Sequence, residues 1–229
     1  MIDVVFNIDE NYRDIVKVVM KSILANTKSE VKFHIIGLDI DGCECYERPD
    51  TSKLKVTCNT KTEITESAIY RLFIPDLIPV KKCVYLDSDL IVLDDLQKLY
   101  DLDVKYIAGV IDPLYKKQAA KNDLKHAYIN SGVLLLNLEN LRKIDYWERI
   151  TKAQENAKNL SLVDQDTLNI AFGDLIEHLP ERWNVYSKVY SETTLKMFRA
   201  RFNPAIIHWC GSYKPFKVWN GQMWYKYSN

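Results

Sequence analysis

One stretch of the chain decides the fold: Cys83-Val84-Tyr85-Leu86-Asp87-Ser88-Asp89, followed at once by Leu90-Ile91-Val92-Leu93. Its first apolar run predicts a buried β-strand. The strand ends in two carboxylates one residue apart, and ligands bind at that edge of an open α/β sheet. Two carboxylates held so close repel each other unless a cation lies between them. The stretch therefore predicts an α/β sheet with a divalent metal site at a strand end.

The Asp-x-Asp pattern alone is weak evidence, because the chain contains four such pairs. They are Asp39/Asp41, Asp87/Asp89, Asp101/Asp103 and Asp164/Asp166. Asp39/Asp41 also follows a strand-like run, but Gly42 then opens a polar turn. Only Asp87/Asp89 lies between two apolar runs, and its alternative interpretation is an acidic loop without function.

Size and charge indicate a single domain without a nucleic-acid partner. The 229 residues fit one α/β domain with a full core. The 31 basic and 31 acidic residues cancel, so no overall field attracts nucleic acid or an anionic membrane. Five cysteines, an odd number without Cys-x-x-Cys spacing, indicate free thiols in a reducing compartment. Neither a signal peptide nor an apolar run of membrane-spanning length is visible, so we expect a cytoplasmic protein.

Apolar periodicity predicts alternating strands and helices. We expect strands at residues 2–8, 31–38, 54–58, 82–86, 90–92, 106–110 and 132–138. We expect helices at 11–26, at 66–74 with Pro75 ending it, at 139–156 and at 164–172. This alternation predicts one α/β domain with a mostly parallel central sheet flanked by helices.

Polar residues at two strand ends suit a nucleotide or sugar ligand. Asp9 and Asn11 follow the first strand and could pair with a nucleobase or ribose, although Asn11 could instead cap the next helix. Asn130 could bond a hydroxyl-rich ligand. Gly132, at the predicted start of the next strand, has two interpretations. It could allow a ligand to approach the backbone closely, or it could only allow the chain to bend.

Two further segments add charge and amide groups. Arg71 could direct a fork of donors at a metal-diphosphate site, although a lone helical arginine is usually solvated. Asp164 and Gln165 together suit the hydroxyl face of a sugar. Helix-dipole stabilisation is a sufficient explanation for Asp166.

A C-terminal segment, Ile206 to Pro215, places His208 after a short apolar strand. Such a histidine is more often a satisfied core residue than a ligand. Gly211 and Lys214 follow and could form a phosphate cradle. Metal carboxylates, a nitrogen ligand, a lysine and polar groups for hydroxyls together describe a site for a nucleoside diphosphate-sugar.

Six segments resemble glycosyltransferase family 8, which includes glycogenin and bacterial lipopolysaccharide galactosyl- and glucosyltransferases. In family order they are Phe6-Asn7-Ile8-Asp9-Glu10-Asn11-Tyr12, Tyr70-Arg71-Leu72, Tyr85-Leu86-Asp87-Ser88-Asp89, Asn130-Ser131-Gly132-Val133-Leu134, Asp164-Gln165-Asp166 and His208-Trp209-Cys210-Gly211-Ser212-Tyr213-Lys214-Pro215-Phe216. They span nearly the whole chain. Each is weak or moderate alone, but six in the right order are specific.

The resemblance implies a GT-A fold over residues 1–216. The aromatic residues of the tail, 217–229, predict that it packs on this domain. The resemblance also implies retaining transfer of a hexose from UDP-glucose or UDP-galactose, usually with Mn²⁺ and alternatively with Mg²⁺. Asp87, Asp89 and His208 would bind the metal, while Gln165, Asp164 and Arg71 would serve catalysis. The implied donor site consists of Asn7, Asp9, Asn11, Arg71, Asp87, Ser88, Asp89, Asn130, Gly132, Asp164, Gln165, His208, Gly211 and Lys214. The acceptor would be a saccharide, glycolipid or glycoprotein.

The sequence departs from the family at residues 39–52, which are shorter than a helical insert common there, and at Phe216, where tryptophan is common. A haloacid dehalogenase-type phosphatase and an inactive sugar-nucleotide-binding protein are the alternatives. The phosphatase needs a second acidic cluster, for which only Gly173-Asp174 is a candidate, with His178 in place of the second aspartate. The tail could also touch the inner face of a membrane through its aromatic rings.

Overall fold

Ten strands and eight α-helices make up the part of the chain that the computed structural model describes, residues 1–52, 54, 66–186, 196, 201, 203–210, 214–217 and 222–228. The strands are β1 Ile2–Asn7, β2 Val31–Ile36, β3 Glu44–Tyr46, β4 Lys82–Leu86, β5 Leu90–Val92, β6 Ile107–Ile111, β7 Ile129–Asn137, β8 Ile176–His178, β9 Val185–Tyr186 and β10 Ile206–His208. The helices are α1 Arg13–Asn26, α2 Ile74–Leu77, α3 Gln97–Tyr100, α4 Tyr115–Lys121, α5 Leu138–Leu141, α6 Tyr146–Asn156, α7 Val163–Phe172 and α8 Gln222–Tyr225. Short 3₁₀ helices cover Glu10–Tyr12, Glu66–Phe73, Glu181–Trp183 and Pro215–Lys217.

Seven strands form the central sheet in the order β3-β2-β1-β4-β7-β6-β8. Every neighbouring pair is parallel except the two pairs that include β7, which runs antiparallel to β4 and β6. The predicted α/β domain with a mostly parallel sheet is confirmed. Because β7 is reversed, its first residues lie at the edge where its neighbours end.

The core lies on both faces of this sheet. Every residue of β1 is buried, as expected for a central strand covered on each side. Phe6 packs in one cluster with Val19 of α1, whereas Val5 belongs to the cluster that contains Phe172 of α7. Alternate side chains of β1 therefore contribute to the two apolar layers on opposite faces of the sheet.

A second sheet, β5-β10-β9, joins the C-terminal part of the chain to the strand end at Asp87. β10 runs antiparallel to β5, which places His208 opposite Leu90. The backbone N–H of Trp209 donates to the carbonyl of Asp89 at 3.0 Å. This pairing brings residues more than a hundred positions apart to the same place.

Two predicted helices differ from the structure. Pro75 is the second residue of α2 and lies in its first turn instead of ending a helix, since its missing N–H is not needed there. The helix predicted at 139–156 is split into α5 and α6. Arg142 lies at the break and donates to the carbonyls of Pro75, Ile78 and Val80, so the chain turns there to dock on α2.

Other differences concern short elements. The strand predicted at 54–58 lies outside the described residues apart from Leu54, which is not in a strand. β3 forms instead within the polar stretch 39–52, parallel to β2. Asp9, not Asn11, caps the turn after β1, because its Oδ1 accepts the N–H of Asn11 at 2.9 Å.

The described part of the predicted tail is held by apolar contacts. Trp224 is 2% exposed and packs edge-on against Trp209, with ring centres 6.1 Å apart. Asn26 of α1 donates to the Tyr227 hydroxyl at 3.2 Å. Trp219 lies outside the described residues.

None of the helices in the described residues has the length and apolar character needed to cross a bilayer.

Replacing Trp224 by alanine should lower the free energy of unfolding by about 3–5 kcal/mol, because a large buried ring leaves a cavity. Urea denaturation of W224A measures this change. Tyr225→Ala in the same helix is the matched control, since Tyr225 is 44% exposed and should cost little. Equal losses in the two variants would contradict the packing described for Trp224.

Candidate active site

Two carboxylates and an imidazole converge at the end of β4. The ligand atoms of Asp87, Asp89 and His208 all lie within 4.8 Å of one another. His208 Nε2 is 3.0 Å from Asp89 Oδ1 and 3.6 Å from Asp87 Oδ2. Two hard oxygen donors and one nitrogen donor fit a divalent cation such as Mn²⁺ or Mg²⁺, with the nitrogen favouring Mn²⁺.

The charge of Asp89 is stabilised by two cations. Burial opposes ionisation of this carboxyl, but His208 and the hydrogen-bonded ammonium of Lys214 outweigh burial and hold the pKa of Asp89 well below its ordinary value. Burial likewise opposes the charge of Lys214, and Asp89 overcomes it and raises the lysine pKa. Both groups are therefore charged at neutral pH.

Arg71 lies beneath the carboxylates and is 7% exposed. It forms ion pairs with Asp87 Oδ1 at 3.0 Å and with Asp164 Oδ2 at 3.1 Å. It also donates to the backbone carbonyl and Oγ of Ser131 and lies over the Tyr85 ring. The guanidinium is thus fixed between the metal side and α7.

A cleft of about 500 Å³ opens beside these groups. Most of the predicted donor-site residues line it: Asn7, Arg71, Asp87, Ser88, Asp89, Asn130, Asp164, Gln165, His208 and Lys214. Asp9 and Asn11 lie at the same edge of the sheet but do not line the cleft, and Gly211 lies outside the described residues.

Two buried side-chain oxygens in the cleft wall are hydrogen-bond acceptors without a donor among the described residues. Asn7 Oδ1 and Gln118 Oε1 have no hydrogen-bond partner among the described residues. The Asn7 amide is held by its Nδ2, which donates to the Ser67 carbonyl at 2.5 Å. Both residues line the cleft, so a polar ligand with donor groups fits it.

Gly132 lies inside β7 and not at its start as predicted, and it explains how the site closes. A Cβ added there would be 2.3 Å from His208 Cε1 and 2.5 Å from Asp87 Oδ2. Its carbonyl accepts the N–H of Asp87 at 2.8 Å. The glycine is therefore needed for close packing around the carboxylates rather than for a bend.

The first turn of α7 delivers two polar groups to the cleft. Gln165 Oε1 accepts from Asn130 Nδ2 at 2.7 Å and from the N–H of Ser131 at 3.1 Å. Asp164 Oδ2 accepts from Ser131 Oγ at 2.9 Å, and burial raises the pKa of Asp164 above its ordinary value. Asp166, by contrast, is fully buried and accepts the N–H of Leu162.

Sequence reasoning missed several cleft residues, among them Asp112 and Tyr186. Tyr186 donates to Asp112 Oδ2 at 2.9 Å, and Gln165 Nε2 approaches the same oxygen at 3.3 Å. Asp112 follows β6 as Asp87 follows β4, so the strand-end argument could have found it. Tyr186 lies in a strand of two residues that carries no sequence signal.

Replacing Gly132 by alanine should destabilise the protein by about 1–3 kcal/mol through overpacking and weaken Mn²⁺ binding, because Asp87 or His208 must move. Urea denaturation and Mn²⁺ titration measure the two effects. Gly109→Ala is the control, since its Cβ would meet the apolar end of Ile129 at 2.5 Å. G132A with unchanged Mn²⁺ affinity would contradict this account.

Comparisons with known proteins agree with this geometry. The glycosyl transferase family 8 model matches residues 3–220. The chain is 31% identical to General stress protein A of Bacillus subtilis (strain 168), over 96% of this chain and 87% of that protein. It is 24% identical to the lipopolysaccharide 1,2-glucosyltransferase of Escherichia coli (strain K12), over 95% of this chain and 73% of that protein.

Among solved structures, the galactosyltransferase LgtC, in complex with donor and acceptor sugar analogues, superimposes with a TM-score of 0.81 at 26% identity. The match covers 99% of this chain and 95% of LgtC. The family match extends over nearly the whole chain and over every segment that builds the cleft. The chain therefore belongs to glycosyltransferase family 8 and has the GT-A fold.

Proposed function

We propose that this chain is a retaining hexosyltransferase that moves glucose or galactose from a UDP-sugar to a saccharide or glycoconjugate acceptor. The observation that carries the proposal is the meeting of Asp87, Asp89 and His208 beside a cleft lined by Arg71 and Gln165. The similarity to LgtC and to the E. coli glucosyltransferase supports the hexose and the lipopolysaccharide-type acceptor. The cytoplasmic location stays a prediction from the sequence, as does membrane contact through the tail.

The donor set supports a metal-dependent reaction. Asp87, Asp89 and His208 would hold Mn²⁺ or Mg²⁺, and their oxygen and nitrogen atoms suit either ion. A divalent cation there would offset the negative charge that grows on the departing diphosphate. Lys214 lines the same cleft and can direct its donors at phosphate oxygens.

The other polar residues would position the donor sugar. The proposed contacts to uridine are made by Asn7, Asp9 and Asn11. The proposed contacts to the sugar are made by Asn130 and Asp164. The remaining proposed donor contacts come from Ser88, Gly132 and Gly211. Arg71, held by two carboxylates, supplies a fixed positive charge beneath them.

Neither polar side chain in the first turn of α7 is well suited to attack the anomeric carbon, since the Gln165 amide is a poor nucleophile and Asp164 is ion-paired with Arg71. Gln165 Oε1 accepts two hydrogen bonds, and Asp164 Oδ2 is paired with Arg71 and Ser131. We therefore favour attack by the acceptor hydroxyl on the face that UDP leaves. The new bond joins the acceptor oxygen to the anomeric carbon, the bond to the diphosphate breaks, and a donor phosphate oxygen takes the hydroxyl proton.

The two alternatives have less support. Asp174, which the phosphatase mechanism requires near the nucleophile, is exposed, pairs with Arg149 and does not line the cleft. An inactive binding protein would bind UDP without releasing it from a UDP-sugar.

Converting either metal carboxylate to an amide should lower kcat by about 100-fold or more, because charge stabilisation of the leaving diphosphate is lost. D87N and D89N would be assayed for UDP release across UDP-sugars, with Mn²⁺ and with chelator. Asp101→Asn with Asp103→Asn is the matched control, because this exposed Asp-x-Asp pair lies outside the cleft. Wild-type turnover by D87N would refute the metal assignment.

Gln165→Ala should lower transfer while UDP binding persists, because the amide lies on the sugar side of the cleft. Calorimetry with UDP and a transfer assay separate the two effects. UDP release by the wild type without acceptor would exclude the inactive-protein alternative. A Q165A variant with undiminished transfer would show that the amide does not serve the reaction.

A further inference from the structure

A chain of hydrogen bonds through two buried amides links His208 to Gln165. His208 Nδ1 lies 2.9 Å from Asn184 Oδ1, and Asn184 Nδ2 donates to Asn130 Oδ1 at 2.7 Å. Asn130 Nδ2 in turn donates to Gln165 Oε1 at 2.7 Å. All four side chains are buried, so each polar atom needs a complementary partner.

Two backbone N–H groups fix the direction of this chain. The N–H of Gly132 points at the Asn130 side chain at 2.9 Å, and the N–H of Ser131 points at Gln165 at 3.1 Å. A backbone N–H can only donate, so the atoms that face it are oxygens. The nitrogen of the Asn184 amide must then face Asn130, and its oxygen must face His208.

This direction decides where the imidazole carries its proton. An amide oxygen accepts and cannot donate, so Nδ1 of His208 must be the donor to Asn184. In the neutral ring the lone pair is then on Nε2, the nitrogen that faces Asp89 and Asp87. A histidine that binds a metal through one nitrogen commonly donates from the other to an oxygen.

We propose that Asn184 is a positioning residue that holds the proton on Nδ1 of His208 and thereby keeps Nε2 as the nitrogen offered to a divalent cation. Asn184 acts through His208 and does not itself line the cleft. The inference rests on the metal site of the proposed function, but the proton position can be measured without any metal.

Cys210 is the competing partner for this nitrogen, because its Sγ lies 3.1 Å from Nδ1. A thiol that donated to Nδ1 would need that nitrogen unprotonated. The oxygen of Asn184 would then face a second lone pair at 2.9 Å, which is repulsive. The anchored amide chain therefore assigns the proton to Nδ1, with the sulfur as an additional acceptor.

The first test is a long-range ¹H–¹⁵N spectrum of the histidine rings in the metal-free protein. It is recorded at alkaline pH, where the His208 ring keeps one proton and the spectrum shows which nitrogen carries it. The wild type should show a protonated Nδ1, and C210A should match it, because both keep the Asn184 oxygen as the acceptor. N184A should lose this preference. An unprotonated Nδ1 in the wild type, or a proton that moves in C210A and not in N184A, would overturn the proposal.

The second test is Mn²⁺ affinity, followed by the paramagnetic signal of free Mn²⁺. N184A should bind about 10- to 100-fold more weakly, as expected for loss of a group that orients a ligand. Asn137→Ala, at the other end of β7, loses an amide that donates to Val104 and should leave Mn²⁺ binding unchanged.

The outcomes separate the two levels of inference. Wild-type affinity in N184A would overturn the role of Asn184. Failure of the wild type to bind Mn²⁺ would overturn the metal site, while the Nδ1 proton would still report on Asn184.

Discussion

The mutual repulsion of Asp87 and Asp89 is the constraint on which the rest of the site depends. Two carboxylates near each other and largely out of water are costly unless positive charge or donors surround them. Arg71 holds Asp87 from below, whereas His208 and Lys214 hold Asp89 from the side. These groups come from two separate parts of the chain, the segment around Arg71 and the segment from His208 to Lys214. Their convergence ties the second sheet and the C-terminal segment to the end of β4.

The antiparallel direction of β7 places further polar residues beside these carboxylates. A parallel β7 would begin at the opposite edge of the sheet and leave Asn130 far from the carboxylates. Because it is antiparallel to β4, its start lies beside Asp87, and Gly132 lets the imidazole of His208 approach closely. The buried side-chain amides of Asn184 and Asn130 then connect His208 to Gln165 through hydrogen bonds.

This arrangement divides the cleft into two halves with different electrostatics. On the metal side, charged groups balance one another in pairs. On the side proposed for the sugar, the side chains of Asn130, Gln165 and Asp112 are joined to one another by hydrogen bonds. A pre-oriented surface of hydrogen-bonding groups would suit the proposed sugar, and a charged but balanced surface would suit a diphosphate. The GT-A fold brings both surfaces to one edge of a single sheet.

The sequence by itself determined the fold class, the strand end at Asp87 and the segments that build the cleft, because strand periodicity and strand-end chemistry are local properties. It also singled out His208 and Lys214, but only the tertiary structure decided that they meet Asp89, since β5–β10 pairing joins distant segments. The same holds for Asn184 and Tyr186, because the short elements around them carry no local pattern that links them to the site. Asp112 differs, since it follows a predicted strand and strand-end chemistry alone indicates it. The direction of β7 and the role of Pro75 were likewise decided by packing, because a buried strand reads the same in either direction and a proline suits a helix start as well as a stop.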